Sequence, residues 1–193
     1  KYKVATDCAD VPYYLRWIFA RENGLPVLNS LLGSGLLVSQ DTVRPAWMKY
    51  PMAKNWWEDK RFRTAVNYFS ANSSTHTVVK DSYPIAIHPD SFFEGAFHIA
   101  LHGNSGHTQL VYRSYKTEEE NFLPFLVVFS NVPRIVRPLY EGAFWDSEQP
   151  PGSVGGFIRF RWPAKTNGKW VLTKADQMPY YSQEQYRPEF MTK

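Results

Sequence analysis

The sequence predicts an α+β fold in which one N-terminal helix packs on a mostly antiparallel sheet. Two observations predict this class. A segment with helical periodicity opens the chain, and strand-like segments separated by turn-forming residues fill the second half. The 193 residues suffice for one well-filled core. We therefore expect a single domain over residues 1–193, with an irregular insertion at about 30–90.

The first predicted element is a helix over residues 8–23. Its apolar side chains recur at three-to-four spacing, which predicts a buried stripe. The stripe consists of Val11, Leu15, Ile18 and Phe19. Pro12 fits only the first turn of a helix, so the regular helix should begin between Cys8 and Asp10. Cys8 then lies at the N-terminal end of the helix.

The remaining elements follow in chain order. Residues 30–60 are rich in Gly, Ser, Pro and Trp, which indicates a long covering loop with short helical pieces. A second helix is expected over residues 60–70. Strands are expected over residues 75–79, 83–87, 95–101, 107–113, 124–130, 156–162 and 169–173. Turn residues predict one hairpin around 102–106, and another that joins the last two strands around Asn167-Gly168.

Composition narrows the classes of function. The formal net charge of +4 is spread along the chain and favours approach to anionic polymers such as cell wall. No apolar run approaches eighteen residues, so the sequence predicts no membrane span. A single cysteine excludes a disulfide within the chain.

Cys8, the only cysteine, is the candidate nucleophile. A thiol reacts as its thiolate, and a helix N-terminus lowers the thiol pKa through its free amides and the helix dipole. The position of Cys8 therefore predicts a lowered pKa. The alternative is that Cys8 is a small buried hydrophobic residue.

A thiol nucleophile needs a base. The five histidines are His76, His88, His98, His102 and His107. His107 opens a strand directly after a Gly-rich turn, so its side chain is expected to project from the end of the sheet toward the helix terminus. His98, on the partner strand, is the rival. A third group should orient the imidazole; the candidates are Asn131, Ser130 or a glutamate of 118–120.

Two segments of the sequence form a pattern with a known counterpart. Asp7-Cys8 begins the first segment and Glu22-Asn23-Gly24-Leu25-Pro26 ends it. In the second segment, Gly95 opens one strand and Gly106-His107 opens the next. This pattern resembles the NlpC-type cell-wall cysteine peptidases and the related CHAP amidases, over roughly residues 7–26 and 91–131.

The resemblance implies a papain-like fold with Cys8 as nucleophile and His107 as base. By analogy with some members, Asp7 would bind the free amine of a peptide stem. The sequence departs from the family in two places. Ala96 replaces the usual Asp after the glycine, and the residues before Cys8 do not form the aromatic, Gly-rich stretch that often precedes the cysteine in the family. Tyr2 is the candidate for a hydroxyl on the oxyanion side.

The sequence therefore predicts a cysteine-dependent amide hydrolase. The resemblance implies peptide bonds in peptidoglycan stem peptides as its substrate, and we expect a secreted or periplasmic location. This chemistry requires no metal or organic cofactor. The alternative is a catalytically inactive papain-like domain that binds peptide or glycan.

Three further interpretations receive less support from the pattern. Residues 103–106 are similar to the serine loop of trypsin-like proteases, but a tight hairpin turn explains their glycines better. Residues 159–162 alternate arginine and aromatic side chains, as nucleic-acid-binding surfaces do. On a strand, however, such alternation more often means that one face of the strand is exposed to solvent and the other is buried. His98 and His102 lie on a strand-to-turn segment, so their spacing does not favour a metal site.

Overall fold

The computed structural model describes residues 3–88, 90–115, 125–144 and 154–187. The fold is α+β, as the sequence predicts. The helices are α1 (Asp10–Glu22), α2 (Lys60–Ala71) and α3 (Thr75–Lys80). The strands are β1 (Ala5–Thr6), β2 (Leu28–Ser30), β3 (Leu37–Ser39), β4 (Ser82–Pro84), β5 (Phe97–His102), β6 (Ser105–Ser114), β7 (Phe125–Phe129), β8 (Ile135–Val136), β9 (Tyr140–Ala143), β10 (Val154–Phe160), β11 (Pro163–Thr166) and β12 (Lys169–Leu172).

The main sheet has six antiparallel strands in the order β4-β10-β5-β6-β7-β9. The predicted central hairpin is confirmed, with β5 and β6 joined at the pair His102 and Ser105. Gly103 takes a φ of +55° in this turn, where glycine avoids the steric cost of a Cβ. Strand β7 lies beside β6, so the polar residues that follow β7 are close to the start of β6.

Among the described residues, three apolar clusters form the core. One lies between the sheet and helices α1 and α3, and it consists of Ala9, Tyr13, Val78, Phe97, Ile99, Leu110 and Ile158. The opposite face of the sheet buries Tyr83, Ile85, Phe92, Ala96, Val111, Val127 and Met178. A third cluster packs α1 against α2, and its members are Tyr14, Trp17, Ala20, Val27, Val38, Trp47, Val66 and Phe69. Helix α1 therefore lies between two cores.

This position of α1 makes the predicted apolar stripe wrong beyond Val11, which is buried as predicted. Leu15 is 37% exposed and Phe19 is 62% exposed, whereas Tyr13, Tyr14 and Trp17 are buried. The aromatic rings face the two cores on either side of the helix. The prediction relied on the spacing of the apolar side chains and assumed that the helix buries a single face. Helix α1 buries two faces, so the spacing identified the wrong residues beyond Val11.

The predicted strand over residues 75–79 is also wrong, because these residues form α3. Its Thr and Val residues favour strands by propensity. A capping box overrides that preference: the Ser74 amide donates to Thr77 Oγ1 at 2.9 Å, and the Thr77 amide donates to Ser74 Oγ at 3.5 Å. The second predicted helix, by contrast, is confirmed as α2.

Two further differences concern strand pairing. The segment expected to pair with 169–173 joins the main sheet instead, where β10 pairs with β4 and β5. The hairpin around Asn167-Gly168 is formed by β11 and β12. The stretch from residue 30 onward that is expected to be irregular instead begins in the hairpin of β2 and β3. Within the described residues, no helix combines the length and apolarity needed to cross a bilayer.

A buried carboxylate links the helices to the chain that surrounds them. Asp81 follows α3 directly and is fully buried. It accepts hydrogen bonds from the Tyr13 hydroxyl at 2.8 Å and from the Ser30 amide and hydroxyl, both at 2.7 Å. Asp81 therefore ties α1, β2 and the end of α3 together.

We expect the substitution Asp81→Asn to destabilise the protein by about 2–4 kcal/mol, because an amide loses one acceptor oxygen and directs N–H groups at existing donors. Urea unfolding measures this change. Asp176→Asn, at an exposed position, is the control and should shift stability by less than about 0.5 kcal/mol. Equal stability of the two variants would contradict the linking role of Asp81.

Candidate thiol site

Cys8 lies in the turn between β1 and α1, two residues before the first helical residue. The expectation that a helix carries Cys8 is therefore wrong, although the thiol does lie beside the helix start. The Asp7 side chain forms this turn: its Oδ1 accepts from the amides of Ala9 at 3.0 Å and Asp10 at 3.2 Å. Asp7 thus satisfies two amides at the beginning of α1.

The start of β6 contacts the cysteine across 98 residues of sequence. The Cys8 thiol donates to the Gly106 carbonyl oxygen at 3.3 Å, and the Thr108 hydroxyl donates to the Cys8 carbonyl oxygen. A Cβ at Gly106 would overlap the side chains of Thr75 and Leu101. The glycine therefore permits the close approach of β6 to α3 beside the thiol.

His107 follows Gly106 directly, so its backbone lies next to the thiol's hydrogen-bond acceptor. Side chains alternate along a strand. Thr108 points toward Cys8, and the His107 ring accordingly lies on the opposite face, where it meets Phe129 edge-on at 5.4 Å between ring centroids. Burial lowers the pKa of His107. The rival His98 lies on that same opposite face, against Phe144 and Phe157.

The end of β7 also reaches the segment that precedes Cys8. The Thr6 hydroxyl donates to Ser130 Oγ at 3.1 Å, and the Ser130 hydroxyl donates to the Thr6 carbonyl oxygen at 3.2 Å. Ser130 is fully buried and holds these two segments together. Asn131, the next residue, is half-buried. The other candidates, Tyr2 and residues 118–120, lie outside the described residues.

The environment of the thiol opposes its ionisation. Burial, followed by the Asp7 carboxylate, raises the pKa of Cys8 to about 11. The expected lowering of this pKa by the helix start is therefore wrong. The amides of Ala9 and Cys8 do favour the thiolate, but desolvation and the nearby carboxylates outweigh them. At 8% exposure, Cys8 is also shielded from solvent in this conformation.

A second carboxylate beside the thiol was not identified from the sequence. Burial and the charge of Asp7 raise the pKa of Asp10 to about 6, although Arg134 opposes the shift. Arg134 Nε donates to Asp10 Oδ2 at 2.6 Å, and the Asp7 amide donates to the same oxygen at 3.1 Å. In the sequence, Asp10 resembles an ordinary first-turn residue, because Arg134 is 124 positions away.

Comparison with known proteins assigns the chain to no family. No protein-family model matches it, and neither a curated protein nor a solved structure matches it. Within the described residues, no group of three or more His, Cys, Asp and Glu side chains is arranged to hold a metal ion. The candidate site therefore consists of the thiol, the strand that carries His107, and the carboxylates of Asp7 and Asp10.

We expect iodoacetamide to alkylate the folded protein slowly at neutral pH, with a rate that rises toward the Cys8 pKa of about 11. The rate constant measured across the alkaline range tests this. Asp7→Asn should lower the apparent pKa, because it removes a negative charge and retains a capping oxygen. Asp176→Asn, at an exposed position, is the control. A rate that levels off below about pH 8.5, the ordinary value for a free thiol, would contradict the expectation.

Proposed function

We propose that the chain is a cysteine-dependent amide hydrolase in which Cys8 is the nucleophile and His107 the base. The observation that carries the proposal is the meeting of three distant segments at the thiol. These are the turn that contains Cys8, the start of β6, which contacts Cys8 itself, and the end of β7, which contacts Thr6 two residues before it. A Cys–His hydrolase needs a thiol beside a histidine-bearing segment, with a polar group near enough to orient the imidazole.

In this proposal the structure represents the resting form of the enzyme. The thiol is protonated because its pKa is about 11. His107, whose pKa is lowered by burial, is neutral at pH 7 and can accept a proton. Reaction then requires two movements: Cys8 Sγ leaves the Gly106 oxygen, and the backbone at the start of β6 rearranges so that the His107 side chain crosses from the opposite face of the sheet to Sγ.

The proposed reaction has two stages. The Cys8 proton passes to the His107 imidazole while Sγ bonds to the carbonyl carbon of the substrate amide. The C–N bond then breaks, and the imidazolium gives its proton to the departing amine. Water hydrolyses the thioester, which releases the carboxylic acid and restores the thiol.

The proposed substrate is a peptide bond in a peptidoglycan stem peptide, met in a secreted or periplasmic location. This choice derives from the resemblance to NlpC-type peptidases, as does a papain-like interpretation of the fold. Asp7 supports it, since a carboxylate adjacent to Cys8 can attract the free amine of a stem peptide. One Asp7 oxygen caps α1, which leaves Oδ2 for that contact.

A second candidate function is a papain-like domain that binds peptide or glycan without catalysis. The burial of Cys8 and its raised pKa favour this candidate. The cysteine would then be a packing residue of the core.

The decisive experiment is digestion of purified peptidoglycan stem peptides, with the released fragments identified by mass spectrometry. We expect the parent protein to cleave them and Cys8→Ala to be inactive. His107→Gln should lose roughly 100-fold or more in kcat/KM, the usual contribution of a general base.

The matched control is His102→Gln, an exposed histidine at the end of β5 in the same hairpin, which should retain full activity. Cleavage that persists in Cys8→Ala would refute the thiol mechanism. Stem peptides that bind to the parent protein and are not cleaved would establish the binding domain instead.

A further inference from the structure

A second site lies at the other end of α1. A cavity of about 650 Å³ is bounded by the C-terminal half of α1, helix α2, the hairpin of β2 and β3, and Trp170 of β12. Ala20, in its wall, is about 15 Å along the helix axis from Asp10, the first residue of α1, at about 1.5 Å of rise per residue. The cavity volume is in the range of small-molecule sites, about 300–1,000 Å³.

The polar atoms of the cavity walls are largely engaged within the protein. Trp17 Nε1 donates to Asn29 Oδ1 at 2.8 Å, and Trp170 Nε1 donates to Asp41 Oδ2 at 2.6 Å. The walls therefore present mainly ring faces and aliphatic groups. A sugar or a peptide backbone would lose hydrogen bonds to water on entry, whereas an alkyl chain would not. This chemistry selects an apolar group as the occupant.

The mouth of the cavity exposes apolar side chains to solvent. Met52 is 68% exposed, Val43 is 49% exposed and Leu25 is 48% exposed, and all three line the cavity. Exposed apolar groups that are contiguous with a cavity mark a surface that a ligand or partner covers.

Arg61 lines the cavity, and two further cations, Lys49 and Lys60, lie against the ring of Tyr50, whose carbonyl oxygen Arg61 contacts; we call these three residues the basic rim. Lys60 Nζ lies 4.8 Å and Lys49 Nζ 5.5 Å from the centre of the Tyr50 ring. Arg61, which lines the cavity, donates to the Tyr50 and Met48 carbonyl oxygens and to Met52 Sδ.

The charge of the basic rim is not neutralised by the nearest buried acid. The described acceptors of Arg61 are all uncharged. Asp59, also in the wall, is paired with Arg21 at 3.0 Å and accepts from the Phe62 amide at 2.8 Å to cap α2. Arg21 also pairs with Glu22 at 2.7 Å, and Asp41 accepts from Trp170 Nε1. Arg21 and the three cations of the basic rim still exceed these three carboxylates by one charge, which favours anions at the mouth.

We propose that this cavity binds an anionic amphiphile, a long-chain carboxylate. Its alkyl chain lies among the rings of Trp17, Trp47 and Phe62, and its carboxylate lies at the basic rim. The apolar interior and the cationic mouth together match the two ends of such a molecule. The site is separate from Cys8 and does not depend on the proposed hydrolase activity.

The test is isothermal titration of the full chain with dodecanoate, and with dodecan-1-ol as the neutral ligand of equal chain length, both below the concentrations at which they aggregate. We expect dodecanoate to bind about tenfold more tightly at low salt, a difference of about 1.4 kcal/mol. Added salt should reduce this preference, because it screens the basic rim.

Two variants locate the site. Ala65→Trp fills the cavity from α2 and should abolish binding of both ligands, while Ala71→Trp, at the exposed end of the same helix, should leave binding unchanged. Met52→Glu at the exposed mouth does not disturb the core, and it should weaken dodecanoate binding about tenfold with little effect on dodecan-1-ol.

Two results would overturn the proposal: equal affinity for the two ligands at low salt, or binding that survives in a folded Ala65→Trp variant. The effect of Met52→Glu remains decisive if Ala65→Trp does not fold. Cys8→Ala should bind dodecanoate as the parent does, so the outcome is independent of the hydrolase assay.

Discussion

The hydrogen bonds of the buried Asp81 carboxylate are the interaction on which the rest of the structure depends. Through Tyr13 they hold the N-terminal part of α1, and through Ser30 they hold the hairpin of β2 and β3. The N-terminal end of α1 then meets β6, and its C-terminal end borders the aromatic cavity. A buried carboxylate is stabilising only while its oxygens accept hydrogen bonds. The three donor groups, the Tyr13 hydroxyl and the Ser30 amide and hydroxyl, therefore constrain one another's positions.

The start of α1 shows a conflict between helix stability and thiol reactivity. Asp7 and Asp10 stabilise the helix through capping and through favourable interaction with its dipole. The same negative charges, added to the effect of burial, raise the pKa of Cys8. A reactive thiolate at this position therefore requires a change in its surroundings, such as exposure of the thiol or the approach of a cation. The proposed rearrangement at the start of β6, which brings the His107 side chain to Sγ, would supply such a cation after proton transfer.

The two ends of α1 differ in physical character. At the Cys8 end, polar groups from three segments meet where they are buried from solvent. The proposed chemistry there depends on the protonation states of Cys8 and His107. At the other end, aromatic rings surround a cavity open to solvent, and the chemistry depends on apolar area and on the charge of the basic rim. A single helix thus connects a candidate reaction site and a candidate ligand site without requiring that either act on the other.

The sequence by itself determined the α+β class, helix α2, the β5–β6 hairpin and the position of Cys8 next to a helix start. These features depend on periodicity, turn residues and capping, which act over a few neighbouring positions. The helical state of residues 75–80 depends on the capping box of Ser74 and Thr77, a local signal that strand propensity obscured. Tertiary structure alone decided the buried face of α1 and the pairing of β10 with β4 and β5. It also decided the pKa of Cys8, the ion pair of Asp10 with Arg134 and the aromatic cavity. Each of these arises from residues far apart in the chain, whose desolvation and charge interactions exist only once the fold has brought them together.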